Sequence, residues 1–154
     1  MLTQEYLKKK IVYHPGDGTF TKVHKDGTLG STFKASKQII IDGKIYQPYR
    51  LAWLYMTGAW PTKFIDHINR DRTDNRWSNL REATYAENNR NTSIRSDNTS
   101  GYKGVSWHKF KSKWRAEIKV DSISKHLGYF STKEEAYAAY IQAAKLYHGE
   151  FASF

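Results

Sequence analysis

Residues 64–91 read FIDHINRDRTDNRWSNLREATYAENNRN, a carboxylate, an imidazole and several carboxamides in an apolar and basic frame. Asp66 and Asn88 supply hard oxygen donors, the kind that suit a magnesium-like ion which keeps some waters and borrows a substrate phosphate. His67 stands next to Asp66, and a neutral imidazole beside such an ion can take the proton from an attacking water. Adjacent strand residues face opposite ways, so Asp66 and His67 share one site only if the strand ends or twists there. The loop-like NRDRTDN that follows them fits such an ending.

The residues on either side of these groups carry their own secondary-structure signals. Phe64-Ile65 begins a short strand, Asp74-Asn75 offers a turn or a helix cap, and Leu80 anchors a second short strand after Asn79. Thr84 and Glu87 are spaced as a capping box, which opens a helix carrying Asn88 in its first turns. The order is strand, loop, strand, helix. Ahead of it, Leu51, Leu54 and Tyr55 recur at helical spacing and Gly58 closes that helix, so a helix over 49–58 should cover the back of the motif with Trp53 and Trp60 in the core. Earlier still, Ile11-Val12-Tyr13, Thr19 to Val23, and the pair Ile39-Ile40-Ile41 and Lys44-Ile45-Tyr46 around Asp42-Gly43 predict a small twisted sheet of hairpins. His14 and His24 have no partner pattern around them and read as surface residues.

The stretch resembles the His-Asn-His (HNH) nuclease motif in the variant of phage homing endonucleases whose last His is Asn. The resemblance implies a ββα-metal core over about 62–91, in which Asp66 and Asn88 ligate one divalent ion, Mg²⁺ or Mn²⁺. It implies that His67 is the general base and that Asn79 braces the loop, so that His67 and Asn79 form the catalytic set. One departure stands out: many relatives carry His immediately before Arg-Leu-Ala-Trp, where this chain has Tyr49.

Residues 92–100, TSIRSDNTS, have almost no apolar anchor and read as a linker, with Arg95 a candidate for a DNA phosphate. Beyond it the pattern changes. Trp114, Ala116, Ile118 and Val120 alternate with Arg115, Glu117 and Lys119, a strand with one apolar and one charged face. Residues 104–108 and 125–130 make plausible partner strands. Ser131 and Glu134 are spaced as a capping box for a helix that presents Ala136, Ala139, Tyr140 and Ala143 on one face. Through YKGV, KWRAEI, LGYF and the alanine-rich helix ending in HGEFA, this half resembles the plant APETALA / ethylene-response-factor DNA-binding domain. That resemblance implies a three-stranded antiparallel sheet on one helix whose outer face meets duplex DNA, and carries DNA-facing roles to Lys103, His108, Arg115, Glu117, Lys119 and His126.

Length and charge are consistent with both halves. A chain of 154 residues fits one medium domain or two small ones. Its net charge of +10 and pI near 9.7 favour a polyanionic partner, and the basic excess is spread over both halves. Cysteine is absent, which excludes disulfides and thiolate zinc sites. No apolar run approaches the roughly 18 residues needed to span a bilayer, and MLTQEYLKKK has the wrong order of charge and apolar residues for a signal peptide. The expected molecule is an α+β protein: an HNH nuclease domain over 1–91, a linker over 92–100 and a DNA-binding domain over 101–154. It is expected to be a monomer without a membrane partner, in the cytoplasm of a host cell if phage-encoded, nicking or cutting double-stranded DNA by water attack on a phosphodiester. A DNA-binding regulator with an inactive nuclease motif and an RNA-binding protein are the other classes that the composition permits.

Overall fold

The computed structural model describes residues 1–154, which divide into two compact units, Met1–Tyr85 and Ala86–Phe154. The architecture is mixed α+β, with small antiparallel sheets and four α-helices.

In the first unit, helix α1 (Gln4–Lys8) precedes strands β1 (Ile11–His14), β2 (Thr19–Val23) and β3 (Leu29–Phe33), which form a three-stranded sheet in the order β1-β2-β3. The hairpin of β4 (Ile39–Ile41) and β5 (Lys44–Tyr46) turns at Asp42-Gly43, both with positive φ, as the twist-matched two-residue turn requires. Helix α2 (Pro48–Thr57) starts at a proline, which fits the first helical position, and ends at Gly58 in the left-handed conformation. It buries Leu51, Ala52 and Leu54 against Leu7, Ile11, Phe20 and Ile65. Trp53 and Trp60 are only half-buried and flank this core: Trp53 packs on Trp77, and Trp60 stacks on Tyr46 while its indole N–H donates to Leu2 O.

Strands β6 (Phe64–His67) and β7 (Leu80–Ala83) pair antiparallel with Asp66 opposite Arg81 and His67 opposite Leu80. Helix α3 (Tyr85–Arg90) follows immediately after Thr84. The segment between β6 and β7 is seated on the turn after β1. Trp77 N donates to Pro15 O at 3.0 Å, and a Cβ on Gly18 would lie 2.5 Å from the backbone of Asn75 and Arg76. Only glycine fits that approach, and its φ of +75 adds a second reason.

In the second unit, β8 (Val105–His108), β9 (Lys113–Val120) and β10 (Ile123–Phe130) form a meander with β9 in the centre. Helix α4 (Lys133–His148) covers one face, burying Ala136, Tyr140, Ala143 and Ala144 against Val105, Ala116 and Ile118. Its N-cap is Thr132, whose side chain and that of Glu135 complete the capping box, one residue later than the Ser131–Glu134 pair expected. Both pairs have the right spacing, and β10 ends at Phe130, which leaves room for one more extended residue before the cap. Residues 92–100 are tied by short polar side chains rather than by a core: Asn98 Oδ1 accepts from Ser100 Oγ and Gly101 N, and Asn98 Nδ2 donates to Tyr102 O. Together with Ala86–Asn91 they belong to the second unit.

Candidate active site and nucleic-acid interface

Asp66 and His67 sit at the end of β6 and are both nearly covered, at 5% and 6% exposure. The strand stops there. Ile68 N already donates to Asn79 O, and Arg70 N turns back to His67 O. Arg81 donates to Asp66 Oδ2 through Nε at 2.9 Å and Nη2 at 2.8 Å, so both nitrogens go to one carboxylate oxygen. The His67 ring meets Asn75 Oδ1 through Nε2 at 3.4 Å and lies edge-on to Tyr49, with ring centres 5.3 Å apart. Tyr49 therefore packs directly on the imidazole. Burial pushes the His67 imidazole below its ordinary value, against the opposing pull of the Asn75 hydrogen bond and of Asp66 and Asp74.

The loop after His67 is held by carboxamides. Asn79 Oδ1 accepts from Asn69 N at 2.9 Å, while Asn79 Nδ2 donates to Asn69 Oδ1 at 3.0 Å and to Asp74 O at 2.7 Å. Both ends of the Asn79 amide are thus engaged in closing the loop on itself, and the side chain is buried. Asp74 adds a clamp: it accepts from Asn69 Nδ2 and from Arg76 Nε and Nη2, and the Arg76 guanidinium first of all holds its carboxyl down to about 2. Asn88 lies half-buried on α3, three residues past the point where the chain divides.

No group of three or more His, Cys, Asp or Glu side chains converges as a ready-made metal cage. The donors that do stand together are oxygen and neutral nitrogen, with no thiolate in the chain. That set fits a hard divalent ion that completes its shell with water and phosphate, and does not fit a structural zinc.

In the second unit, β9 turns Ala116 and Ile118 to α4 and Arg115, Glu117 and Lys119 to the opposite face. Cross-strand register adds His108 opposite Lys113, Ser106 and Tyr129 opposite Arg115, and His126 opposite Glu117. Tyr129 is the residue that sequence reasoning missed. Its ring centre lies 5.0 Å from that of His108 and 4.5 Å from that of His126, and Lys111 Nζ stands 4.2 Å over it. The register break between His126 and Gly128 puts Tyr129 on this face; the signal in the sequence was Gly128, which marks a bulge inside a strand pattern. Arg115 pairs with Glu117 at 3.2 Å, and its Nε is covered without a hydrogen-bond partner. Arg95 is exposed and pairs with Asp97.

Lys103 is placed differently from the expectation. Its ammonium donates to Arg90 O at 2.8 Å, to Thr92 O at 3.0 Å and to Ser153 Oγ. An ammonium has three donors. All three fasten residues 90–92 and the C-terminus, which leaves none for a phosphate. His148, unremarked in the sequence, is buried at the end of α4 with Nε2 3.0 Å from Lys119 O.

No helix is long and apolar enough to cross a membrane. Comparison with protein families matches residues 49–90 to the HNH endonuclease model and residues 100–150 to the AP2 domain model. The chain is similar to Protein 3.8 of Escherichia phage T7, at 32% identity over 105 residues that cover 66% of this chain and 84% of that protein. No solved structure matches it. The first match covers the strand-ending Asp66-His67 pair and its braced loop, the second the basic sheet on its helix, and the chain belongs to the HNH endonucleases, here joined to an AP2 DNA-binding domain.

Proposed function

We propose that this protein is a metal-dependent DNA endonuclease of the phage homing type, with nuclease residues 1–91 and DNA-binding residues 101–154 joined by 92–100. What supports the reading most is His67: a buried imidazole whose pKa is lowered, adjacent to a carboxylate and at the end of a strand whose following loop is braced. A lowered pKa keeps the ring neutral near pH 7, the form that accepts a proton.

In this reading His67 takes the proton from the water that attacks the phosphodiester. Asp66 would hold a divalent ion, Mg²⁺ or Mn²⁺, and Asn88, by its place in the ββα-metal motif, would be the second ligand. Such an ion, when bound, offsets the charge that develops on the phosphate and on the leaving oxygen. Arg81 holds the Asp66 carboxylate in place through Nε and Nη2, and Asn79 keeps the loop closed. Arg115, Lys119, His108, His126 and Glu117 present a mixed, mainly basic face to duplex DNA, with Arg95 on a neighbouring phosphate.

Relaxation of supercoiled plasmid by the full chain tests this. Nicking is expected with Mg²⁺ or Mn²⁺ and should vanish in excess chelator; competition with duplex RNA should not protect the plasmid as duplex DNA does. Full nicking in chelator would overturn the metal role.

A further inference from the structure

Asn75 is 1% exposed, among the most deeply buried polar side chains of the chain. Its Nδ2 donates to Ala35 O at 2.9 Å and approaches Thr73 O at 3.5 Å. Both neighbours are carbonyls, which only accept, so the NH₂ end must face them and the Oδ1 end must face His67. An acceptor facing Nε2 at 3.4 Å favours the proton there, which is the tautomer that carries its lone pair on Nδ1.

Asn75 is in turn fixed from the three-stranded sheet. Its backbone carbonyl accepts from Tyr13 Oη at 2.6 Å, Ala35 follows β3, and the Gly18 turn abuts its carbonyl carbon. These contacts fix the side chain from directions unrelated to β6. A fully buried carboxamide that served only to satisfy Ala35 O would leave the imidazole tautomer unchanged when removed.

Resting on the reading of His67 as general base, we propose that Asn75 is a positioning residue: it holds His67 as the Nε2–H tautomer, makes Nδ1 the nitrogen that takes the proton from water, and is itself seated by the N-terminal sheet. The sheet thereby has a role in the reaction without touching substrate. Asn75 acts through His67 alone, by geometry and by choice of tautomer.

The test is long-range ¹H–¹⁵N correlation NMR of the histidine rings in the metal-free full chain, about two pH units above the ordinary imidazole value, where the ring is neutral. Wild-type His67 is expected to show a protonated Nε2 and a lone-pair Nδ1. Asn75→Ala should shift it to a mixture of tautomers and lower single-turnover nicking roughly tenfold or more with duplex binding unchanged. Asn75→Asp keeps an acceptor opposite Nε2 and should retain the wild-type tautomer. Tyr13→Phe removes an anchor of the same loop, so it should lower the melting temperature and leave the tautomer as it is. A wild-type His67 protonated on Nδ1, or an Asn75→Ala chain with an unchanged tautomer, overturns the proposal. If Asn75→Ala does not fold, the wild-type and Asn75→Asp spectra decide. A tautomer that switches with no change in nicking would instead contradict His67 as the base, leaving its bond to Asn75 intact.

Discussion

Asn79 and Asn88 are the same residue type in different settings. Asn79 uses its NH₂ group twice, toward Asp74 O and Asn69 Oδ1, so Asn79→Asp removes two donors and leaves a buried carbonyl unpaired. The cost is about 1–3 kcal/mol for the orphaned acceptor. A ligating carboxamide offers only its oxygen, which Asp reproduces with added charge. Asn79→Asp is therefore expected to lower the melting temperature and the nicking rate together, whereas Asn88→Asp should keep metal-dependent nicking with a changed metal optimum. Titration of Mg²⁺ against rate, with thermal melting of both variants, checks this; an Asn79→Asp chain that melts normally but needs more metal would reverse the two roles.

At the scale of elements, His148 shows what burial does at a helix end. Burial first of all lowers its pKa, aided by nearby Arg90 and Lys103, while its bond to Lys119 O opposes the shift. As pH falls below the ordinary imidazole value, about 6.5, the unfolded chain binds a proton before the folded one does. Stability is therefore complete above that value and is lost as pH falls toward the folded pKa. Melting followed between about pH 7.5 and pH 5 should show this decline, and His148→Gln should flatten it; an equal slope in both would remove His148 as its cause. Strand β6, the hairpin at Asp42-Gly43 and helix α2 were legible in the sequence because local chemistry dictates each: a short apolar run, an Asp-Gly turn, and apolar residues at helical spacing closed by a glycine, although the helix begins one residue earlier than expected, at Pro48. Lys103 was not, because its partners Arg90 and Ser153 are distant in sequence and a lysine on a basic segment looks the same whether it meets phosphate or carbonyl. Tyr129 was hidden by the bulge, since one extra residue moves everything after it to the other face. The loop brace at Asn79 was named from family resemblance, and its bonds to Asn69 and Asp74 could not be counted without coordinates.

The whole molecule carries an HNH segment and a basic three-stranded sheet on one chain, and its +10 charge favours a polyanionic partner. Contacts to phosphate release counterions, so replacing Arg115 or Lys119 with Ala in the full chain should weaken duplex binding and flatten the slope of log K against log salt by about one unit each. Measured on the His67→Ala background in chelator, binding is separated from cleavage; unchanged slopes would take both residues off the DNA. Lys103→Ala is expected to loosen residues 90–92 and the C-terminus instead, because its ammonium already serves Arg90 O, Thr92 O and Ser153 Oγ. The proposed cutting of DNA runs through His67, and it stands on the single-turnover rate of Mg²⁺-dependent nicking, wild type against His67→Ala at saturating protein. A fall of roughly 10²-fold or more with duplex affinity preserved is the predicted result, and a His67→Ala chain that nicks at the wild-type rate would contradict it.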